Sequence, residues 1–378
     1  MARQPIAQEF EAPPEADRFG DFPHPRHNKR LYGHSAAEAM LSEAIASGRM
    51  HHGWLLAGPS GIGKATLAYR LARTLLAAPG ERGTGDDGPL SVGLDTTAYR
   101  QVAALSHPSL LVLRRPWDQK AKRHTSGIPV DEVRRLRAFL GHTGEAQRYR
   151  VVLVDTADDL GGAAANALLK SLEEPPPRLV FILVSSEPGA LLPTIRSRCR
   201  RLDLAPLSAD DLKSAAQQAI GASEDARVPD PGEWPRLITL ARGSVRRALA
   251  ISSSGGLKLY DDARRIVELL PKIDWAQVHK LSDELAGAAA EQEFDAFIGF
   301  FSNILASLVR VRAGGTGAAE DRQLAGRLIE EHRVKAFAET VTELQKAPTE
   351  CKALNLDRKQ LIVGTVTRLA ALAGRRWG

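Results

Sequence analysis

The stretch that decides the fold runs Trp54-Leu-Leu-Ala-Gly58-Pro-Ser-Gly61-Ile-Gly63-Lys64-Ala65-Thr66. An apolar run, a glycine-rich turn and the start of a helical pattern follow one another, which is the order of a phosphate-binding loop. The glycines let successive backbone N–H groups close around phosphate oxygens, and the following helix N-terminus adds its positive dipole end. The alternative is a glycine turn before an ordinary helix. The strand and helix patterns on either side favour the phosphate-binding loop.

The loop predicts a nucleotide site that lacks one expected group. The ammonium group of Lys64 can reach the terminal phosphates. A Ser or Thr normally follows this lysine and ligates the Mg²⁺ that bridges the phosphates, but the chain has Ala65. We therefore expect ATP or ADP to bind, with Mg²⁺ weak or absent. The candidate nucleotide-binding residues of the loop are Gly58, Pro59, Ser60, Gly61, Ile62, Gly63, Lys64, Ala65 and Thr66.

A second informative stretch is Arg150-Val-Val-Leu-Val-Asp155-Thr156. Four apolar residues that end in an acid are typical of a central strand, which delivers its carboxylate beside the phosphate-binding loop. Asp155 is therefore a candidate for nucleotide binding, and for holding Mg²⁺ directly or through water. In a hydrolysing enzyme the next residue is commonly Glu, which deprotonates the attacking water, and Thr156 cannot act as that base. We expect the chain alone to lack ATP hydrolysis.

Two further segments leave alternatives open. The apolar run 179–184 predicts a buried strand, and the hydroxyl of Ser185 at its end could meet the γ-phosphate or cap the strand. The segment 114–123 is basic, with Trp117 among its cations, and shows no apolar period. It could track a nucleic-acid backbone with one stacking aromatic, or form a solvated surface loop. The net charge of +6 is compatible with either.

Composition narrows the class of protein. A chain of 378 residues is long enough for two or three domains. No apolar run approaches the roughly 20 residues of a membrane span, and the N-terminus lacks the apolar core of a signal peptide, so we expect a cytoplasmic protein without a membrane partner. Cys199 and Cys351 are the only cysteines, which excludes a disulfide framework and a four-cysteine zinc site.

Several motifs together resemble the AAA+ clamp-loader family of bacterial DNA polymerase III, and within it the delta-prime subunits. They are Gly58–Thr66, Asp155–Asp158, Asn166-Ala-Leu-Leu-Lys-Ser-Leu-Glu-Glu-Pro-Pro176 and Ser197-Arg198-Cys199. Support comes from residues 48–58 before the loop, from Gly243-Ser-Val-Arg246-Arg247-Ala-Leu249 and from Asn355-Leu-Asp-Arg-Lys-Gln360. The likeness spans roughly residues 30 to 365.

The resemblance implies roles for two arginines. Arg198 would be the catalytic arginine finger, donated in trans to the ATP site of a neighbouring subunit, and Arg246 would be the lid arginine of the chain's own nucleotide site. The implied partners are other clamp-loader subunits, gamma/tau and delta, in a hetero-oligomer that acts on a sliding clamp and primed DNA. Ala65 and Thr156 favour the subunit whose own site is degenerate. The zinc module of many relatives is not expected, since no Cys lies between Lys64 and Arg198.

The implied fold is α/β, an AAA+ P-loop domain with a parallel sheet followed by a helical lid and an all-α collar. Residues 1–27 are polar and rich in proline, so we expect a flexible leader. The α/β domain would occupy residues 28–205, beginning with a capping box of Ser35 and Glu38. The pattern then turns helical, which predicts a lid over residues 206–255 and a collar or oligomerisation domain over 256–378.

We therefore predict a stator subunit that supports the ATP-driven opening of a sliding clamp and its loading on primed DNA during replication. One alternative is an autonomous AAA+ ATPase such as a helicase-like motor, which Ala65 and Thr156 disfavour. Another is a DNA-binding adaptor that uses the basic segment 114–123. Measuring ATPase activity of the chain alone and with partners separates the three.

Overall fold

The computed structural model describes residues 15–83, 87–141, 148–224, 226–253, 255–315, 317–354 and 356–374, with backbone alone at residues 288, 349 and 352–354. Residues 1–14 of the predicted leader and Asn355 of the C-terminal motif lie outside these ranges. The chain divides into two compact units, residues 1–249 and residues 250–378.

The first unit is built on a parallel sheet. Its strands are β1 (Gly53–Ala57), β2 (Leu110–Leu113), β3 (Trp117–Asp118), β4 (Arg123–His124), β5 (Arg150–Val154), β6 (Leu179–Ser185) and β7 (Arg200–Asp203). Five of them form the parallel sheet in the order β2-β5-β6-β1-β7. β3 and β4 form a separate antiparallel hairpin. Every residue of β1 and β6 is buried, as expected of parallel strands with helices on both faces.

The helices of the first unit include those that cover both faces of this sheet. In chain order the helices are α1 (Ser35–Ala46), α2 (Lys64–Leu76), α3 (Thr97–Ala103), α4 (Val130–Gly141), α5 (Gly162–Glu173), α6 (Pro193–Arg196), α7 (Ala209–Gly221), α8 (Trp234–Ala241) and α9 (Val245–Ser252), the last of which crosses the division between the units. On β5, Val151 and Leu153 share one apolar cluster with α1 and α2, whereas Val152 and Val154 share another with α4 and α5. This two-residue alternation confirms the predicted α/β fold with helices on both faces of a parallel sheet.

The sheet order determines where functional groups meet. β1, β5 and β6 run parallel and lie beside one another, so their carboxyl ends share one edge. The glycine loop 58–63 follows β1, Asp155 follows β5 and Ser186 follows β6. A crevice at the carboxyl ends of parallel strands is where α/β folds bind ligands.

The N-terminal segment differs from the expectation. Residues 15–27 make packing contacts with α2 and α3, which the expectation of a flexible leader did not include. The ring of His24 is buried and meets Tyr69 edge-on at a centroid distance of 5.5 Å. Arg26 Nε donates to Ala103 O at 2.6 Å, and Arg73 Nη1 donates to Asn28 O at 3.2 Å. Buried polar groups on α2 and α3 thus find their partners in a segment that looks unstructured by composition.

The predicted capping box is also wrong. α1 begins at Ser35 with His34 as its N-cap, and no side chain caps it. Glu38 instead accepts a hydrogen bond from Arg70 Nε at 2.8 Å. Pairing with a buried arginine satisfies the buried carboxylate better than a bond to the backbone at the exposed start of the helix.

The second unit is helical. Its helices are α10 (Gly256–Leu269), α11 (Trp275–Ala286), α12 (Glu291–Arg312), α13 (Ala319–Leu328), α14 (Val334–Leu354) and α15 (Arg358–Ala373). α12 packs against α10, α13 and α14, and it buries Phe294, Phe297 and Phe301. By length and composition α12 could cross a membrane, but 56% of its apolar window is buried inside the protein, and core helices meet the same criteria.

The predicted domain boundaries can be set beside the two units. The first unit contains the predicted α/β domain and nearly all of the predicted lid, and the second corresponds closely to the predicted collar. The separation of a lid from the α/β domain remains a prediction.

Candidate nucleotide-binding site

The loop between β1 and α2 contains positions whose backbone only glycine adopts without strain. Gly58 has φ +147°, and a Cβ there would lie 2.4 Å from Leu204 O. Gly61 has φ +77°, and a Cβ there would lie 2.5 Å from Ser244 Oγ and from Arg246 Cβ. Side chains at either position would therefore displace the chain segments that pack around the loop.

A cavity of about 260 Å³ opens over this loop. Nine of the predicted site residues line it: Ser60, Gly61, Ile62, Gly63, Lys64, Ala65, Thr66, Asp155 and Arg246. Gly58 and Pro59 do not line the cavity, but their backbone carbonyls accept hydrogen bonds from Lys64 Nζ. The structure thus brings the predicted loop, the acid after β5 and the predicted lid arginine to one cavity.

Lys64 is turned toward its own loop. Its Nζ donates to Gly58 O at 2.8 Å, to Pro59 O at 2.6 Å and to Ser186 Oγ at 3.0 Å. Burial lowers the pKa of Lys64 to about 8, against the opposing effect of Asp158 and Asp155. A phosphate that takes this ammonium group as a partner must replace these bonds and would favour its charged form.

Asp155 is buried beside Lys64. Its side chain is 3% exposed, and its Oδ2 has no hydrogen-bond partner. Burial raises the pKa of Asp155 well above its usual range, and Asp17 adds to the rise, while Arg114 and Lys64 oppose it. A carboxylate in this state can hold a proton or a cation.

Ser185 does not lie in the cavity. It is fully buried, and its Oγ donates to Asp158 Oδ1 at 2.5 Å. The same carboxylate accepts from the backbone N–H of Ser186 at 2.6 Å, so Asp158 caps the end of β6. This geometry favours the strand-capping alternative for Ser185, and its assignment to nucleotide binding stays a prediction. Ser186, one residue on, lines the cavity instead.

The N-terminal segment supplies cavity residues that sequence reasoning missed. Asp17, Phe19, Phe22 and Pro23 line the cavity. The guanidinium of Arg246 lies over the ring of Phe19, 4.9 Å from its centroid. Burial raises the pKa of Asp17 to about 6, against the neighbouring Arg114 and Arg115. Two phenylalanines in an otherwise polar segment were the one available signal that it packs.

Oxygen ligands for Mg²⁺ are only partly present. Asp155 offers a buried carboxylate oxygen, but Ala65 offers none. The hydroxyl of Thr66 accepts a hydrogen bond from Asn28 Nδ2 at 3.2 Å and is engaged away from a metal. Asp155 is thus the residue of the predicted set that fits a magnesium ion beside nucleotide phosphates.

Arg198 lies apart from the cavity, between α6 and β7. Its guanidinium donates to Thr194 O at 3.0 Å and forms an ion pair with Glu173 Oε1 at 2.8 Å. Its side chain is 34% exposed. The arginine is therefore directed at the protein surface and does not reach the phosphate-binding loop of its own chain.

The basic segment 114–123 belongs largely to the hairpin of β3 and β4. Lys120, Lys122 and Arg123 are exposed, whereas Trp117 is half-buried and meets His124 edge-on at 5.0 Å. Arg114 and Arg115 pair with Glu15 and Asp159 respectively. The segment thus separates into an exposed cationic tip and a base that is anchored to the first unit.

The sheet order, the glycine loop before α2 and the acid after β5 define a P-loop protein of the AAA+ class. The delta-prime subunit of DNA polymerase III from Pseudomonas aeruginosa is 30% identical over 344 residues, which is 89% of this chain and 97% of that protein. The chain belongs to the clamp-loader family of DNA polymerase III, as a delta-prime-like subunit.

Two further sequence comparisons agree with this family. The family described as "DNA polymerase III, delta subunit" matches residues 33–208. The gamma/tau subunit of Mycobacterium tuberculosis (strain ATCC 25618 / H37Rv) is 31% identical over 269 residues, 70% of this chain, and the chain spans 44% of that protein. A gamma subunit-related protein from Thermotoga maritima aligns at a TM-score of 0.40 and 17% identity over 89% of this chain and 99% of that one, a likeness too low to carry a conclusion.

Proposed function

We propose that this chain is the stator of a clamp loader: it supports the ATP-driven opening of a sliding clamp and its loading on primed DNA, but does not hydrolyse ATP itself. The observation that carries the proposal is the composition of the cavity. Lys64 and the glycines are present, whereas Ala65 and Thr156 stand where a metal-binding hydroxyl and a general base are needed. A site with a phosphate cradle and no base can bind without turnover.

The cradle supports weak binding of ATP or ADP. Backbone N–H groups of the glycine loop and the start of α2 are suited to phosphate oxygens. Binding must displace the bonds of Lys64 to Gly58, Pro59 and Ser186, and it gains little from Mg²⁺, because Asp155 is the one predicted ligand that offers an oxygen. Calorimetry on the folded chain tests this directly, and no heat with either nucleotide at about millimolar concentration contradicts it.

Arg198 is the residue that we propose to act on a neighbour. Its guanidinium is always charged and faces outward, away from the chain's own cavity. In a hetero-oligomer with gamma/tau and delta subunits, it would stabilise the charge that develops on the γ-phosphoryl group in the adjacent subunit. This role explains how a chain with a degenerate site supports hydrolysis in its complex.

A second candidate function is DNA contact by the exposed tip of the β3–β4 hairpin. Three exposed cations there, Lys120, Lys122 and Arg123, are the observation that favours it. Replacing all three with Gln should lower DNA affinity and flatten its salt dependence in the assembled complex, with assembly unchanged. A complex that binds primed DNA as before excludes this candidate.

The deciding experiment measures ATPase activity of the chain alone, with reconstituted partners, and with partners plus clamp and primed DNA. A stator shows negligible turnover alone and stimulates hydrolysis by its partners. Turnover by the isolated chain near the roughly 1 to 10³ s⁻¹ usual for enzymes indicates a motor. A chain that neither hydrolyses ATP nor stimulates its partners indicates an adaptor. We also expect a cytoplasmic location, which fractionation of cells tests.

A further inference from the structure

Three side chains from distant parts of the sequence converge beside the phosphate-binding loop. Asp17 and His24 come from the N-terminal segment, and Asp155 follows β5. One potential ligand atom from each lies within 4.8 Å of the others, and this is a candidate metal-binding group among the residues that the structure describes. We refer to these three residues as the Asp-His-Asp cluster.

The polar atoms of the cluster are buried and unsatisfied. His24 is 1% exposed and Asp155 is 3% exposed. Asp17 Oδ2, His24 Nε2 and Asp155 Oδ2 each lack a hydrogen-bond partner. Buried polar atoms are almost always paired, so three neighbouring unpaired atoms indicate a group that the protein side chains do not themselves supply.

The ligand types identify that group. Two carboxylates and one imidazole suit first-row divalent ions such as Mn²⁺, Co²⁺ and Zn²⁺, whereas Mg²⁺ and Ca²⁺ prefer oxygen ligands alone. We propose that Asp17, His24 and Asp155 bind one such divalent metal ion. The two carboxylates balance its charge, and the ring supplies the nitrogen.

The imidazole is suited to this role after one local change. Burial lowers the pKa of His24 to about 3, so the ring is neutral at ordinary pH. His24 Nδ1 accepts a hydrogen bond from Arg26 N at 3.1 Å, which places the ring proton on Nε2 in the metal-free protein. Coordination through Nε2 moves that proton to Nδ1 and gives up the bond from Arg26. Metal binding thus rearranges the turn that follows His24.

Neighbouring groups set the strength of the site. The ring of Tyr69 meets the ring of His24 edge-on, and the buried hydroxyl of Tyr69 lacks a hydrogen-bond partner. Its pKa is raised well above its usual range by burial, so it stays a neutral donor that can orient a carboxylate. Arg114 and Lys64 act on Asp155 as cations and oppose a further positive charge. We therefore expect an affinity that chelators readily overcome.

The test uses the full chain without nucleotide. Protein freed of metal with a chelator is titrated with Co²⁺ and followed by visible absorption, and with Mn²⁺ and Zn²⁺ by calorimetry. We expect one ion per chain. Asp17→Asn, which keeps the shape of the side chain, and His24→Ala should each weaken binding at least about 10-fold, and His24→Ala should also change the Co²⁺ spectrum. Asp21→Asn and His27→Ala are matched controls, because both residues are exposed in the same segment.

Two results overturn the proposal. One is folded protein, checked by circular dichroism, that takes up none of the three ions in a one-to-one ratio. The other is uptake that remains unchanged in both Asp17→Asn and His24→Ala, since the ion then binds elsewhere. Lys64→Met separates this site from the nucleotide site: it should lose nucleotide binding and keep metal uptake. Failure of one proposal is thereby distinguished from failure of the other.

Discussion

The guanidinium of Arg198 lies 2.8 Å from the carboxylate of Glu173, which is the last residue of α5. Both side chains are partly exposed, at 34% and 48%. Ion pairs in such positions contribute roughly 0 to 1 kcal/mol, so this one neither locks the arginine nor stabilises the fold substantially. The guanidinium of Arg198 can therefore exchange Glu173 for another anion at the protein surface.

Replacing Arg198 with Ala should leave assembly with partner subunits intact and lower hydrolysis at one neighbouring site. A trans-acting arginine is worth about 10³ to 10⁵ in rate in other phosphoryl-transfer systems, so the affected site should fall nearly silent. Gel filtration checks assembly, and DNA-stimulated ATPase and clamp loading report function. Arg198→Lys should rescue poorly, because an ammonium group lacks the bidentate fork.

Arg196→Ala is the matched control for this prediction. Arg196 is exposed two residues before Arg198 and carries the same charge. Its loss should leave the ATPase of the complex unchanged. An Arg198→Ala complex that assembles and hydrolyses ATP at the normal rate would show that the arginine is structural.

Lys64 should make stability depend on pH in the alkaline range. Its pKa falls from 10.5 to about 8 in the folded chain, so the unfolded chain binds more protons between these values. Stability should therefore rise with pH across this window, by on the order of 3 kcal/mol, and this contribution should be flat below it. Urea unfolding of the chain and of Lys64→Met at about pH 7 and about pH 10 measures the difference. Lys213→Met, at an exposed lysine, should show no such slope, and equal slopes in all three proteins contradict the prediction.

Arg26 should stabilise the first unit although it lies in the predicted leader. Its Nε donates to Ala103 O at 2.6 Å, and its guanidinium pairs with Glu15. Arg26→Ala leaves these acceptors without their partner, so we expect a loss of about 1 to 3 kcal/mol in the free energy of unfolding. Arg30→Ala, at a side chain that is 60% exposed, should cost under about 0.5 kcal/mol. Equal effects from both variants would indicate that residues 15–27 do not pack in solution.

Restoring the missing acid should not restore hydrolysis. Thr156→Glu supplies a candidate base for the attacking water, but Ala65 still provides no hydroxyl for Mg²⁺. Turnover by the isolated variant should stay far below about 1 s⁻¹ in a steady-state assay. Turnover within the usual enzyme range from this single change would show that the metal-binding hydroxyl is dispensable here.

The parts of the fold that local patterns specify were predictable from the sequence. The apolar strand at Val151–Val154 and the glycines before Lys64 have a signal within a few residues. Which acid faces the cavity was also predictable, since a strand that ends in an acid delivers it to the carboxyl edge of the sheet.

The rest depended on packing between distant segments. Ser185 and Ser186 are adjacent serines at the end of one strand, and the sequence does not show which of them faces the cavity. In the structure the hydroxyl of Ser185 donates to Asp158 as a strand cap, and Ser186 lines the cavity. The segment around His24 looked unable to fold because its own apolar content is low. The ring of Tyr69 on α2 nevertheless packs against His24, and Arg73 on α2 donates to the backbone carbonyl of Arg26. No local sequence pattern predicts such contacts between distant segments.

The backbone bonds at the tip of the phosphate-binding loop have a consequence for protein engineering. Ser244 Oγ donates to Ser60 O at 2.9 Å, and the backbone N–H of Val245 donates to Gly61 O at 2.8 Å. A loop transplanted from a relative arrives without these partners unless the turn before α9 is transplanted with it. The two segments are separated by 184 residues in sequence, yet they form one exchangeable module. Chimeras should therefore be designed with both segments or with neither.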